Sequence, residues 1–259
     1  MRSFEGRCVL VTGSGRGIGK GIARHFAQGG AKVLLVARSH DELDQTRTEL
    51  LELTSDVRAF ALDLTAPDAA RRVVSAAADA WGGLDILITN AGAAPQGGFL
   101  ELDDNAWPAG FGLKMFANLR VIRHAWPWLV KSAGHLVMIG GGTARTPDRR
   151  LSLVSAVNGG IAALTKSIAE QGVQDGVHVN LVQPGTVRTQ RRQKLFEKWA
   201  AEEGIEVEEY INRAALQLKV TRLGEPRDIA GVVAFLCSEE SRWMQGSIVD
   251  VDGGQNKGV

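Results

Sequence analysis

The sequence predicts an α/β protein: a doubly wound parallel sheet of about seven strands between two layers of helices. Three observations predict it. Short apolar runs alternate with stretches of helical periodicity along the chain, the order that successive βα units impose. Most of these runs are continuously apolar rather than alternating, as in strands covered on both faces. The first run ends in a glycine-rich turn that opens straight into a helical pattern, a strand–turn–helix arrangement.

The strands are expected at 7–12 (RCVLVT), 32–37 (KVLLVA), 57–62 (VRAFAL), 84–89 (LDILIT), 135–140 (HLVMIG), 178–182 (HVNLV) and 247–252 (SIVDVD). Helices are expected between them, among others at 17–28, 41–53 and 68–81. In "LVSAVNGGIAALTK", 153–166, Val154, Val157, Ile161 and Leu164 recur at three- and four-residue steps, which marks another helix. With no internal repeat, low-complexity tract or linker, residues 1–259 read as one domain.

Composition bounds the partners. A formal net charge of +1 argues against nucleic-acid or membrane-surface binding driven by bulk electrostatics. No secretory leader is expected, and no apolar run reaches the ~18 residues of a membrane span. Cys8 and Cys237 lie far apart and read as reduced thiols, so a soluble, cytoplasmic protein is expected. The five histidines, His25, His40, His124, His135 and His178, are scattered, and no metal set is expected.

The glycine-rich turn is "TGSGRGIG", 12–19, with Gly13, Gly17 and Gly19 spaced GxxxGxG. Such a turn lets backbone N–H groups approach a pyrophosphate at the helix N-terminus. The second strand should end at the residue that reads the adenosine ribose. An acid there suits the 2′-hydroxyl of NAD, and an arginine suits the 2′-phosphate of NADP. The chain has Arg38 there, no acid before Asp41, and Arg16 inside the turn. Two guanidiniums can clamp a phosphate, so NADP(H) is expected over NAD(H).

Together, "TGSGRGIG", "NAG" (90–92), "VNLVQPGTVRT" (179–189) and "RLGEPRDIAGVVAFLCS…GSIVDVDGG" resemble the short-chain dehydrogenase/reductase family, in the family's order and spacing. The resemblance runs from about Arg7 to Gly254 and implies a Rossmann-type sheet. It assigns Gly13, Ser14, Arg16, Gly17, Ile18, Gly19 and Arg38 to the cofactor, and puts Asp63 and Leu64 beside the adenine. Asn90, Ala91 and Gly92 would border the ribose, and Pro184, Gly185, Val187 and Thr189 the nicotinamide.

The family's chemistry rests on a tetrad of Asn, Ser, Tyr and Lys, and the resemblance places these roles on named positions. Gly141 falls at the Ser position, Val154 at the Tyr position and Asn158 at the Lys position; Asn118 is read as the one retained member. The only tyrosine, Tyr210, lies in another segment. Asn158 retains a hydrogen bond for the ribose. A positioned acid or base is worth about 10²–10⁴-fold, so ordinary carbonyl reduction should be slow without a surrogate. The glycines 140–142 and Val154 are expected to leave a roomier, less polar floor. None of Thr143, Arg145, Asp148, Ser152 and Ser155 stands out as a replacement, and Lys114, one helical turn before Asn118, is expected to project to solvent.

Residues 190–220 fall where the family places its substrate lid. Leu195, Phe196, Trp199 and Ile211 are available to cover a pocket, with Arg191 and Arg192 at its start. Three functional classes remain open. The first, preferred on the resemblance, is an NADP(H)-binding oxidoreductase of altered chemistry acting on a carbonyl or alcohol. The others are a non-redox cyclase, isomerase or lyase on the same scaffold, and an inactive subunit of a mixed oligomer with an active relative. The resemblance further implies a homo-oligomer, dimer or tetramer, paired through helices that begin near Phe111 and Leu153.

Overall fold

The computed structural model describes residues 3–258. Seven strands form one sheet: β1 (Cys8–Thr12), β2 (Lys32–Ala37), β3 (Val57–Ala61), β4 (Ile86–Thr89), β5 (His135–Ile139), β6 (His178–Pro184) and β7 (Ile248–Val251). Their spatial order is β3-β2-β1-β4-β5-β6-β7, and every pairing is parallel. The expected doubly wound Rossmann-type sheet is what the chain forms. Its strand order reverses between β1 and β4, and such a reversal opens a crevice at the carboxyl ends of the strands.

The helices are α1 (Gly17–Gln28), α2 (His40–Leu51), α3 (Ala69–Trp81), α4 (Ala106–Phe111), α5 (Asn118–Ser132), α6 (Ser152–Asp175), α7 (Gln190–Glu203), α8 (Val207–Gln217) and α9 (Pro226–Phe235). A π-helical turn, Gly112–Ala117, joins α4 to α5. Among the described residues no helix is long and apolar enough to cross a membrane.

Alternate strand residues feed two cores, one on each face. Val9, Val11, Ile86 and Ile88 pack with Ile22 and Phe26 of α1 and Ile229 and Val233 of α9. Leu10, Leu34, Leu87 and Leu136 pack with Val73, Val121, Leu129, Val157 and Ile161 from α3, α5 and α6. Each fully buried side chain of this size contributes about 1.5–3 kcal/mol. The central strands therefore hold the ends of β1, β4 and β5 rigidly, and the site is built on those ends.

The 190–220 segment folds as two helices with a small core of its own. Phe196, Ile211, Ala215, Val220 and Leu223 are buried together, with Trp199 and Tyr210 packed against them. The Phe196, Trp199 and Tyr210 rings lie 6.0–6.2 Å apart. The expectation that Phe196, Trp199 and Ile211 cover a pocket is corrected: they hold α7 and α8 to each other. Leu195 remains exposed.

Candidate active site

The turn after β1 is shaped by contacts that only glycine permits. A Cβ on Gly19 would lie 2.2 Å from the Gly13 carbonyl oxygen, and one on Gly13 would lie 2.9 Å from Ala91 Cα. Gly13 and Gly17 adopt positive φ, 66° and 58°, a region open to glycine. Asn90 fastens the turn: its Nδ2 donates to the Thr12 and Gly13 carbonyls, both at 3.0 Å. Thr12 Oγ1 in turn accepts from the Asn90 and Ala91 N–H groups at 3.0 and 2.9 Å. The ends of β1 and β4 are thereby fixed together, with the N-terminus of α1 opening between them.

That opening is a cleft of about 380 Å³, lined by Gly13, Arg16, Gly17, Ile18, Arg38, Leu64, Asn90, Ala91, Gly92 and Thr189 among the residues singled out from sequence. Others are placed elsewhere. Ser14 is fully buried, its Oγ accepting from Val36 N–H at 2.8 Å, so its hydroxyl ties the turn to β2. Gly19 packs beneath the turn. Asp63 Oδ1 accepts from the backbone and hydroxyl of Thr65, while its neighbours Leu62 and Leu64 line the cleft. Pro184 ends β6; Gly185 is pressed against Asp252 and Gln255, and Val187 bridges to Gly224. Thr189 caps α7 by accepting from Arg192 N–H.

Two features of the cleft went unread in the sequence. Glu42, on the first turn of α2, lines it and pairs with Arg16 at 2.8 Å. An acid therefore does stand near the ribose end, with its charge engaged by one arginine. Arg191 adds a third guanidinium to the wall beside Arg16 and Arg38. Behind it, burial and then the neighbouring Arg191 charge lower the pKa of Arg192.

At the carboxyl end of β5, Asn158, at the position read as the lost lysine, joins Lys114 and Thr143 in one hydrogen-bonded chain. Asn158, buried in the second turn of α6, receives a 2.6 Å hydrogen bond from Lys114 Nζ at its Oδ1. It donates from Nδ2 to Thr143 Oγ1 at 2.8 Å. Lys114 Nζ also lies 3.4 Å from the Gly140 carbonyl. Lys114 is thus not a solvent-facing residue. Its stem runs over Gly92, where a Cβ would meet Lys114 Cγ at 2.6 Å, and burial pushes its pKa down to about 8. The π turn carries it there: Lys114 lies within that wide turn, and Asn118 Nδ2 holds the Lys114 carbonyl at 2.9 Å.

Asn118 spends the rest of its carboxamide on the scaffold. Its Nδ2 also donates to Ala91 O at 2.7 Å, and its Oδ1 accepts from Thr12 Oγ1 at 3.4 Å. It braces the π turn against the ends of β1 and β4. The glycines after β5 do not open the floor, contrary to expectation. The space a Cβ would take on Gly141 is occupied by Asn158 Nδ2, 2.8 Å away, and that on Gly142 by Asn256 Nδ2 at 2.8 Å. Both amide ends of Asn158 are engaged. Val154, one turn earlier on α6, is half-buried and apolar.

The signal for Lys114 was present in the spacing. Residues four apart share a helix face, so a lysine one turn before a buried Asn118 belongs on the inner side. Arg145 pairs with Asp250 at 2.9 Å, and Asp148 with Arg150. Among the described residues no three His, Cys, Asp or Glu gather to hold a metal.

A family model described as enoyl-(acyl carrier protein) reductase matches residues 13–256. The 3-oxoacyl-(acyl-carrier-protein) reductase FabG of Vibrio cholerae is 30% identical over 253 residues, 97% of this chain and 98% of its own. Dehydrogenase/reductase SDR family member 4 of Bos taurus is 30% identical over 253 residues, 97% of this chain and 88% of its own. The chain belongs to the short-chain dehydrogenase/reductase family. Among solved structures, L-sorbose reductase from Gluconobacter frateurii, complexed with NADPH and L-sorbose, superposes with a TM-score of 0.95 at 28% identity over 100% of both chains. A short-chain oxidoreductase from Pseudomonas aeruginosa PAO1, described as containing an atypical catalytic center, gives 0.92 at 27% identity over 98% of both. Members of this family among the relatives are oxidoreductases, and this chain is an oxidoreductase of the same family by descent.

Proposed function

We propose that this protein is an NADP(H)-dependent oxidoreductase that acts on a small carbonyl or alcohol substrate with a rebuilt set of catalytic groups. The observation that carries the proposal is the pairing of a glycine-locked cleft with a partly buried Lys114–Asn158–Thr143 chain beside it. A site decaying without function has no need of such mutual fit. The cleft suits a dinucleotide: the Gly17 and Ile18 backbone at the start of α1 would hold a pyrophosphate, and Arg38 with Arg16 would face a 2′-phosphate. NADPH in the L-sorbose reductase complex supports the choice of cofactor, and the atypical center of the Pseudomonas protein supports altered chemistry.

When bound, the reduced nicotinamide supplies a hydride to the substrate carbon. The chain's own task is to bind the dinucleotide, hold the carbonyl and provide a proton. Thr143 Oγ1, which accepts from Asn158, keeps its own O–H to donate, so it can orient a carbonyl oxygen as the missing Ser would. Exposed Phe116 and Val173, on the π turn and α6, support pairing into a homo-oligomer.

Titration of the ligand-stripped protein with NADPH and then NADH, followed by reduced-nicotinamide fluorescence, tests the cofactor assignment. NADPH should bind selectively. Arg38→Ala should weaken NADPH by roughly tenfold or more, the worth of a charge-assisted hydrogen bond, and leave NADH nearly unchanged. Equal loss for both nucleotides would remove Arg38 from the 2′-phosphate, and binding of neither to a folded sample would sink the assignment.

A further inference from the structure

We propose that Lys114 is the proton donor and acceptor of this active site, reaching it from the π turn rather than from α6. The proposal rests on the oxidoreductase reading above and names the group that replaces the tyrosine. Three placements converge on it. The Lys114 stem crosses Gly92, a wall residue of the cofactor cleft, where only a glycine leaves it passage. Its ammonium is held by Asn158 Oδ1 at 2.6 Å and by the Gly140 carbonyl at 3.4 Å. An ammonium has three N–H donors, so one is left for a bound molecule. Asn158 in turn has room only because Gly141 lacks a side chain. Gly92, Gly141 and Asn158 thus all serve the seat of one lysine.

Tyr210, Arg145 and Asp148 are committed elsewhere. Tyr210 packs against the α7–α8 core. Arg145 is tied to Asp250 and Asp148 to Arg150 at the surface. Thr143 is an alcohol, suited to orient a carbonyl rather than to release a proton. The groups that meet the Lys114 side chain are Gly92 after β4, the Gly140 carbonyl at the end of β5 and the Asn158 carboxamide of α6, all uncharged. Burial alone therefore brings its pKa down to about 8, near the range in which an acid–base group works well.

As the carbonyl carbon accepts the hydride, its C=O π bond opens onto oxygen. An N–H bond of the Lys114 ammonium breaks and an O–H bond forms, leaving an alcohol and a neutral amine. Solvent returns the proton to Lys114. Alcohol oxidation runs the same transfer backwards from the amine.

The test combines a titration that needs no turnover with one that does. Lysine side-chain ¹⁵N resonances of the NADPH-bound protein should include one that titrates near pH 8 and is missing from Lys114→Met. Reduction by NADPH of whichever ketone is turned over in a panel of small ketones that includes L-sorbose should decline as pH rises through about 8. Lys114→Met should lower that rate by about 10²-fold or more, and Lys114→Arg should do the same despite keeping the charge. Both variants should hold NADPH within a few-fold of wild type, which shows that the fold survives. A Lys114 amine still charged beyond pH 10, or a wild-type rate and pH profile in either variant, overturns the assignment alone. A folded wild type that binds no NADPH overturns the oxidoreductase reading and this assignment with it.

Discussion

At position 141 there is no room for a side chain, because the Asn158 carboxamide already fills that space at 2.8 Å. A serine there, the residue the family resemblance implies, should therefore harm the protein. Overpacking of this kind costs about 1–3 kcal/mol, so Gly141→Ser should lower the melting temperature. Adding Asn158→Ala should recover part of the loss, as expected of residues in contact. Additive losses in that double-mutant cycle would deny the coupling. This contact also marks a limit of sequence reading. Gly141 and Asn158 were each legible as departures from a pattern, yet their fit to each other is tertiary. Read singly they look like deletions of chemistry; together they form the seat of Lys114. Solvent exposure is the default for a lysine, so residue type alone puts Lys114 outward. Its spacing from Asn118 pointed inward, and the structure follows the spacing.

Among the elements, the strands and the glycine turn were the most legible. Continuous apolar runs such as KVLLVA coincide with β2, because burial on both faces leaves little freedom in what such a strand contains. The π turn was not legible, since one extra residue in a turn leaves no compositional trace. Neither was the inner core of the α7–α8 segment, whose apolar residues serve equally well to cover a pocket or to join two helices. The glycine turn makes a sharp prediction at this scale. A Cβ on Gly19 would stand 2.2 Å from the Gly13 carbonyl, and backbone cannot yield there as a flexible side chain would. Gly19→Ala should abolish NADPH binding, read as nicotinamide fluorescence, and lower the melting temperature. Gly231→Ala, where nothing lies within 4 Å, should do neither. Retained binding in Gly19→Ala would mean that the turn is not the cradle.

For the whole molecule, the buried lysine links stability to pH. Its folded pKa of about 8 lies below the ordinary 10.5. Below pH 8 both folded and unfolded chains hold the proton, and the folded state bears the full desolvation cost. Between about 8 and 10.5 the folded chain releases it while the unfolded chain keeps it, so stability rises with pH in that window. Relative to Lys114→Met, the wild type should gain up to about 3 kcal/mol from pH 7 to 10.5, as followed by urea unfolding. Parallel stability curves for the two proteins would place the ammonium in water instead.

If the bound nicotinamide reacts rather than merely filling the cleft, its hydride must be found in a product. Incubating the protein with NADPH deuterated at both C4 positions and a panel of small ketones, L-sorbose among them, measures this directly by mass spectrometry. Deuterium should appear on the carbinol carbon of an alcohol product, one label per NADPH consumed. Conversion of a substrate with the label still on the cofactor, or tight NADPH binding with no transfer to any ketone, would contradict a reacting nicotinamide.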